Sequence, residues 1–109
     1  MANDIYYNVV KEALFNDGWV ITSDSYVINA DKETNYQIDL GADKVIAATK
    51  ENLKIAVEIK SFLGQSLSYE FHGVLGQFLN YYVHLKNIEP DRQLFLAIPK
   101  KAHESLLRE

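Results

Sequence analysis

The sequence contains no cysteine, and this absence removes several kinds of chemistry at once. Disulfide bridges, thiolate metal ligands and a cysteine nucleophile are all excluded. Residues that break regular structure are also scarce, with two prolines and five glycines in 109 residues. No run approaches the roughly 20 consecutive apolar residues that a membrane-spanning helix needs. These features are typical of a single globular domain in a reducing compartment, and we expect the cytoplasm.

Positive charge is scarce as well. The chain has 11 lysines and arginines against 15 acidic residues, which gives a net charge of -4. This balance argues against a strong nucleic-acid binder, because such proteins usually carry a basic surface. It leaves open a weak or partner-assisted contact with DNA, or a site that recruits divalent cations. The three histidines lack the spacing of a metal site, and no Walker loop or GxGxxG turn is present.

The N-terminal half predicts one helix followed by extended structure. DIYYNVVKEALFNDGW has a helical apolar stripe that ends at Asp17-Gly18, and the stripe consists of Ile5, Val9, Ala13 and Leu14, widened by Tyr6 and Val10. WVITSDSYVI then predicts a strand, or a strand with a bend at Ser23-Asp24. From Tyr36 a long extended segment, YQIDLGADKVIAAT, turns at KEN and returns as LKIAVEIKSF.

The C-terminal half predicts a helix, a strand and the start of another helix. YEFHGVLGQFLNYYVHLKN has helical periodicity, and Gly73 and Gly76 inside it predict close packing on a neighbouring strand. QLFLAIP suits a buried strand, and KAHESLLRE begins a helix. The order helix, three strands, helix, strand predicts an α/β domain in which a mixed sheet is flanked by helices.

One group of polar residues on the predicted strands points to chemistry. Asp39 lies on the polar face of its strand, and Glu58 and Lys60 lie on the polar face of the next strand. If the two strands pair, the three side chains converge. Mg²⁺ takes one or two protein carboxylates and leaves its other positions to water and phosphate. An adjacent lysine can orient the attacking water and neutralise charge on the phosphate.

A simpler interpretation is that Glu58 and Lys60 form an exposed ion pair, which would be worth less than about 1 kcal/mol. Three observations favour a site. Asp39 stands in an apolar strand where aspartate is disfavoured, and the β-branched neighbours of Glu58 predict a central strand. Gln77 and Tyr81 also lie four residues apart on one helix face, with His84 about one turn further on. Such a polar stripe is equally typical of a solvated helix face.

The chain resembles the fdxN-element excision controlling factor family, of the XisH type. The resemblance runs through DIYYNVVKEALFNDGWVIT, IDLGADKVIAATKENLKIAVEIKSFLG, VLGQFLNYY and EPDRQLFLAIP. That family is similar to a branch of the PD-(D/E)xK endonuclease superfamily, so the resemblance implies a three-layer, restriction-endonuclease-type core across residues 1–109. Members are expected to continue past Glu109 with a further strand. The chain departs from the superfamily pattern at Ile38, where the name has proline.

The resemblance implies catalytic roles for Asp39, Glu58 and Lys60, and it maps a Q-x-x-x-Y element onto Gln77 and Tyr81. Asp39 and Glu58 would be the ligands of Mg²⁺ or Mn²⁺. It also implies a cyanobacterial protein that controls excision of a DNA element during cell differentiation, together with a site-specific recombinase and a companion excision factor.

Two functions remain open at the level of sequence. One is a Mg²⁺-dependent DNA endonuclease. The other is a regulatory factor on a nuclease scaffold that works through partner proteins, which the acidic charge favours. A homodimer that forms through exposed tyrosines is compatible with both, and the candidates are Tyr6, Tyr7, Tyr69 and Tyr82.

Overall fold

A computed structural model describes residues 6–29, 33–49, 51–62 and 67–107. Within these ranges lie three helices and six strands: α1 (Tyr7–Asn16), β1 (Val20–Ser23), β2 (Tyr26–Asn29), β3 (Asn35–Ile38), β4 (Leu40–Ile46), β5 (Glu51–Ile59), α2 (Leu67–Ile88), β6 (Arg92–Ala97) and α3 (Lys100–Leu107). None of these helices is long and apolar enough to cross a membrane.

Four strands form one mixed sheet in the order β1-β4-β5-β6. β4 pairs antiparallel with both β1 and β5, whereas β5 and β6 are parallel and are joined through α2. A helical crossover is the usual connection between parallel strands. The predicted α/β fold with a mixed sheet flanked by helices is therefore confirmed. The strand that carries Glu58 is central, as its β-branched neighbours predict.

The two faces of β5 pack against different helices. On one face, alternate residues of β5 form a core cluster with Tyr7 and Val10 of α1, and these residues are Ile55, Val57 and Ile59. On the other face, Ala56 packs with Tyr81 and Leu85 of α2. Side chains of a strand point alternately to opposite faces, so this arrangement follows from the period-two pattern of KIAVEIKSF. Glu58 faces the α2 side, like Ala56.

The segment WVITSDSYVI does not continue as one strand of the main sheet. The chain bends at residues 24 and 25, and β2 pairs with β3 in a separate two-stranded sheet. Ile28 and Ile38 of this hairpin are 1% and 0% exposed, because they pack against Tyr81 and Leu85 of α2. The prediction of the bend is confirmed, but the prediction of a single extended segment from Tyr36 is wrong. That segment divides at Asp39 into β3 and β4.

The buried stripe of α1 is rotated from the predicted one. Tyr7 and Val10 are buried and Leu14 is half-buried, whereas Val9 is 56% exposed and Ala13 is exposed. Residues 7, 10 and 14 also have helical spacing, and burying an aromatic ring removes more apolar area from water. Ile5 lies outside the described residues. The predicted helix end is confirmed, with Asp17 as the C-cap and Gly18 at φ 90°.

The glycines of α2 do not lie against a strand. A Cβ atom built at Gly73 or Gly76 would meet nothing within 4 Å. The prediction of close helix-strand packing at these positions is therefore wrong. Both glycines lie on the outer face of α2, and they lower its helix propensity without a packing role among the described residues.

Candidate functional site

The bend between β3 and β4 brings Asp39 beside Glu58. The β4–β5 register pairs Leu40 with Val57, so Asp39 falls opposite the end of β5. The Ile59 N–H donates to Asp39 Oδ2 at 2.8 Å, and the Asp39 N–H donates to Glu58 Oε1 at 3.3 Å. The Asp39 carboxylate therefore accepts a main-chain hydrogen bond from β5, and the Glu58 carboxylate accepts one from Asp39 itself. This reciprocal pair fixes two acidic side chains next to each other.

The electrostatics of the pair are unfavourable for two negative charges. Burial, followed by the neighbouring charge of Asp39, raises the pKa of Glu58 from its ordinary value of 4.5 to about 8. The Lys60 ammonium acts in the opposite direction and lowers this pKa, but by less. At neutral pH Glu58 therefore retains its proton for much of the time. A cation beside the pair would favour the ionised form.

Tyr81 covers Glu58 from the side of α2. Its ring is buried, and burial together with the charges of Glu58 and Asp39 raises the pKa of its hydroxyl to about 12. A side-chain hydrogen bond also joins Tyr81 to Glu58. The hydroxyl stays protonated at physiological pH, so it is able to donate a hydrogen bond to the Glu58 carboxyl.

Tyr36 of β3 is a site residue that the sequence pattern did not indicate. Its ring packs edge-to-face on Tyr81 with 5.6 Å between centroids, and it lies 5.2 Å from the ring of His84. Tyr36 thus fixes the position of Tyr81 from the hairpin side. One feature of the sequence indicates that Tyr36 faces inward: it precedes the buried Ile38 by two residues, so both side chains lie on the same face of β3.

The two remaining predicted site residues, Lys60 and Gln77, are both exposed. Lys60 directly follows β5, and its main-chain N–H donates to the Ala97 carbonyl at 3.0 Å while its side chain is exposed. Gln77 is exposed one helical turn before Tyr81. The structure therefore brings Asp39 beside Glu58 through main-chain hydrogen bonds, and it places Tyr81 and Lys60 within electrostatic range of Glu58. His84 of the predicted polar stripe packs on Tyr36 instead of reaching the carboxylates.

The donor set of this group suits a hard divalent cation. Two carboxylates at one point of the fold match the one or two protein ligands that Mg²⁺ usually takes. No cluster of three or more histidine, cysteine or acidic residues occurs in the parts of the chain that the structure describes. A metal held by Asp39 and Glu58 would therefore keep most of its coordination positions for water and phosphate oxygens.

A second charged cluster lies at the start of β6. Arg92 is buried, and its guanidinium donates to Glu89 Oε1 at 2.7 Å, Asp43 Oδ1 at 3.1 Å and the Ile55 carbonyl at 2.9 Å. The Tyr26 hydroxyl also donates to Glu89. Hydrogen bonds from Arg92 lower the pKa of Glu89 to about 2, against the opposing effect of burial. This cluster joins β4, β5 and the α2–β6 turn to the β2–β3 hairpin.

Comparison with known proteins identifies close relatives. The family model described as XisH protein matches residues 1–109. A crystal structure of an XisH family protein from Nostoc punctiforme PCC 73102 is 39% identical and superposes with a TM-score of 0.83, covering 97% of this chain and 77% of that one. A crystal structure of a fdxN element excision controlling factor protein from Anabaena variabilis is 41% identical, with a TM-score of 0.82 and the same coverage. No curated protein matches this chain.

Proposed function

The chain belongs to the XisH family, and on that premise we propose that it controls the excision of a DNA element. The observation that carries the proposal is the 41% identity, over 97% of this chain, to a protein named as a fdxN element excision controlling factor. In this role it would act with a site-specific recombinase and a companion excision factor. Its net charge of -4 is consistent with recruitment to DNA through protein partners.

We further propose that the main sheet and its helices form an endonuclease-like core. The supporting observation is the order α1, β1, β4, β5, α2, β6, in which three antiparallel neighbours are followed by a helix and a parallel strand. The β2–β3 hairpin would be an insertion between the first two strands of that core. Asp39 then occupies the point where the chain returns from the insertion to the sheet.

A second candidate function is Mg²⁺-dependent cleavage of DNA, which the contact between Asp39 and Glu58 favours. Asp39 and Glu58 would hold the metal, which would supply charge stabilisation at a phosphate oxygen. Lys60, exposed beside them, would orient a water and neutralise the phosphate. Gln77 would contact the DNA strand, whereas the buried Tyr81 would act by holding Glu58 in orientation.

Complementation of excision tests the first proposal. A strain that lacks its own controlling factor would receive this chain, and excision of the element would be scored by amplification across the new junction. Restored excision supports the role, and failure of a well-expressed chain to restore it contradicts the role. The Asp39→Asn variant in the same strain decides whether the carboxylate pair takes part.

Calorimetric titration with Mn²⁺ tests the metal site separately from excision. We expect saturable binding to the wild type and its loss in Asp39→Asn. Asp91→Asn is the matched control, because Asp91 is an exposed aspartate next to β6 and not at the site. Binding that survives in Asp39→Asn would remove Asp39 from the metal site. Cleavage assays on nicked and branched DNA with the same variants would then separate a nuclease from a non-catalytic factor.

A further inference from the structure

The outer face of the β2–β3 hairpin consists of uncharged side chains, three of which are amides. Alternate residues of the two strands point away from α2, and all four are exposed: Val27 and Asn29 of β2, and Asn35 and Gln37 of β3. Charged residues make up 24% of the chain, so their absence from these four positions is a distinct feature. We call this surface the amide face.

The opposite face of the hairpin holds the amide face in a defined position. Ile28 and Ile38, which alternate with the outward residues, are buried against Tyr81 and Leu85 of α2. The amides therefore project from a packed element of the fold. Side chains that project from packed strands can make more precise contacts with a ligand than side chains on loops.

Solvent exposure alone does not explain asparagine at these positions. Asparagine is depleted in β-strands, whereas threonine is both polar and favourable there. Yet Asn29 and Asn35 lie directly opposite each other across the hairpin, and Val27 and Gln37 form the next outward pair. Two residues that disfavour a strand thus meet on one face, which indicates a role for their amides.

The dimensions of the hairpin fit the major groove of DNA. That groove is about 12 Å wide and admits a two-stranded β-ribbon. Successive outward residues of one strand lie about 7 Å apart, which is close to the rise of two base pairs. Asn35 and Gln37 can therefore face base pairs that are two steps apart.

The four outward side chains have the chemistry that recognises A·T pairs. An asparagine or glutamine amide donates to adenine N7 and accepts from the adenine amino group, and an apolar side chain contacts the C5-methyl of thymine. Guanine is usually read by arginine or lysine, and cytosine by an acidic side chain. The amide face offers Val27 for thymine and three amides for adenine, and none of the charged groups.

The amide face also lies close in the chain to the proposed metal ligands. Gln37 precedes Asp39 by two residues, and β3 ends at Ile38, immediately before Asp39. Asp39 is in turn bonded to β5 beside Glu58. DNA held on this face would therefore run close to the carboxylate pair.

We propose that the β2–β3 hairpin enters the major groove of A·T-rich duplex DNA. Asn29, Asn35 and Gln37 read adenine, and Val27 contacts thymine. This inference rests on the proposed function at DNA, and it adds the class of sequence that the protein recognises. The net charge of -4 predicts that this contact is weak unless partner proteins strengthen it.

Fluorescence anisotropy at low salt, with duplexes of equal length, tests the preference. We expect the wild type to bind an A·T-rich duplex about tenfold more tightly than a G·C-rich one. Asn35→Ala/Gln37→Ala should lose most of this preference. Asn52→Ala/Gln93→Ala is the matched control, because it removes one exposed asparagine and one exposed glutamine from β5 and β6. The control should bind as the wild type does.

Two base analogues test major-groove contacts on the wild-type protein itself, so that this result does not depend on the folding of a variant. Uracil in place of thymine removes the C5-methyl and should weaken binding by about threefold. An adenine analogue with carbon in place of N7 should weaken it further. Val27→Ala should be insensitive to the first change and retain its sensitivity to the second.

Three outcomes overturn the proposal. The first is equal binding, or no binding, of the two duplexes by the wild type. The second is an equal loss of preference in the hairpin variant and in its control. The third is a preference that both base analogues leave unchanged, because the contact would then lie outside the major groove.

Failure of this inference is distinguishable from failure of the proposed function. A chain that restores excision but has no preference for A·T pairs refutes the hairpin contact alone. A chain that prefers A·T pairs but does not restore excision refutes the controlling role and leaves the hairpin contact standing.

Discussion

Two glutamates beside the same sheet have opposite electrostatic environments. Glu89 accepts hydrogen bonds from Arg92 and Tyr26, and its pKa falls to about 2. Glu58 is buried beside Asp39, and its pKa rises to about 8. The first carboxylate is neutralised by groups of the protein itself. Within the described ranges the second has a partial counter-charge in the exposed Lys60, which does not offset the effects of burial and of Asp39 on its pKa.

The difference separates a structural cluster from a candidate functional one. A charge that the protein satisfies completely contributes to holding elements together, and it has no free capacity for a ligand. A buried carboxylate pair in which one member keeps its proton at neutral pH becomes destabilising when that proton is lost, and perturbed groups of this kind concentrate at functional sites. Arg92 and Glu89 therefore stabilise the fold, whereas Asp39 and Glu58 remain the residues of the proposed site.

The largest effect is expected from removal of Arg92. Arg92→Met keeps an apolar stem but removes the counter-charge of Asp43, the hydrogen-bonded ion pair of Glu89, which keeps only Lys54 at 3.7 Å, and the guanidinium bond to the Ile55 carbonyl. Because breaking a buried ion pair from one side is costly, the free energy of unfolding should fall by about 3 to 5 kcal/mol. Urea denaturation would measure this loss.

A matched control for Arg92→Met is Lys11→Met, which removes an ion pair with Asp24 in which both side chains are about 40% exposed. An exposed pair of this kind is worth less than about 1 kcal/mol. Equal losses in the two variants would mean that burial of the Arg92 cluster does not matter for stability.

A smaller effect of opposite sign is expected from Glu58→Gln. The amide oxygen can still accept from the Asp39 N–H and from Tyr81, while the buried charge disappears. Above pH 8 we expect the free energy of unfolding to rise by about 1 to 2 kcal/mol, with loss of Mn²⁺ binding. Thermal denaturation at pH 9 would measure the first effect and calorimetry the second. A destabilised Glu58→Gln variant would contradict the assignment of unrelieved repulsion.

The two glutamates should also shape the pH dependence of stability in separate windows. The pKa of Glu89 is lowered from 4.5 to about 2, so its contribution is complete above pH 4.5 and is lost as the pH falls toward 2. The pKa of Glu58 is raised from 4.5 to about 8, so its contribution is present below pH 4.5 and is lost as the pH rises toward 8.

Melting temperatures measured from pH 2 to 9 test these windows. Glu89→Gln should flatten the acid limb and leave the limb above pH 4.5 unchanged. Glu58→Gln should do the reverse. If one substitution altered both limbs, the two clusters would be energetically linked and the comparison between them would fail.

The smallest expected effect on the free energy of unfolding comes from Gly73→Ala. This variant tests whether stability can change without a change in Mn²⁺ binding. A methyl group at this position meets open space, so the variant should gain about 0.5 to 1 kcal/mol from helix propensity alone. Its Mn²⁺ binding should equal that of the wild type, unlike that of Glu58→Gln. Altered Mn²⁺ binding in Gly73→Ala would show that the metal site responds to the stability of α2.

The contact between Asp39 and Glu58 was predictable because it depends on alternation and pairing. β4 and β5 are antiparallel neighbours, so the residue that precedes β4 lies beside the end of β5, although Asp39 itself lies in the bend between β3 and β4. Central burial of Glu58 followed from its β-branched flanks in the same way. Apolar and polar residues alternate along a half-buried strand, so the direction of each side chain can be predicted from the sequence.

Arg92 and Tyr36 were not predictable because their partners are distant in the chain. The Arg92 guanidinium reaches main-chain carbonyls 37 and 50 residues away, and no local pattern around Arg92 indicates these contacts. The sequence pattern places β2 and β3 within the longer segments WVITSDSYVI and YQIDLGADKVIAAT, because β-propensity does not indicate which sheet a strand joins. Local sequence patterns therefore predict most helices and strands and the contact between Asp39 and Glu58. The Arg92 cluster, the position of Tyr36 and the separate β2–β3 sheet depend on tertiary contacts that these patterns do not contain.

The wide sequence separation of the Arg92 contacts has a consequence for the order of folding. Its carbonyl partners on β4 and β5 become available only when the β4–β5 hairpin has formed and α2 has brought β6 alongside. Contacts that close such long loops are slow to form, and a guanidinium loses its water only when its acceptors are in place. We therefore expect Arg92→Met to accelerate unfolding more than it slows folding.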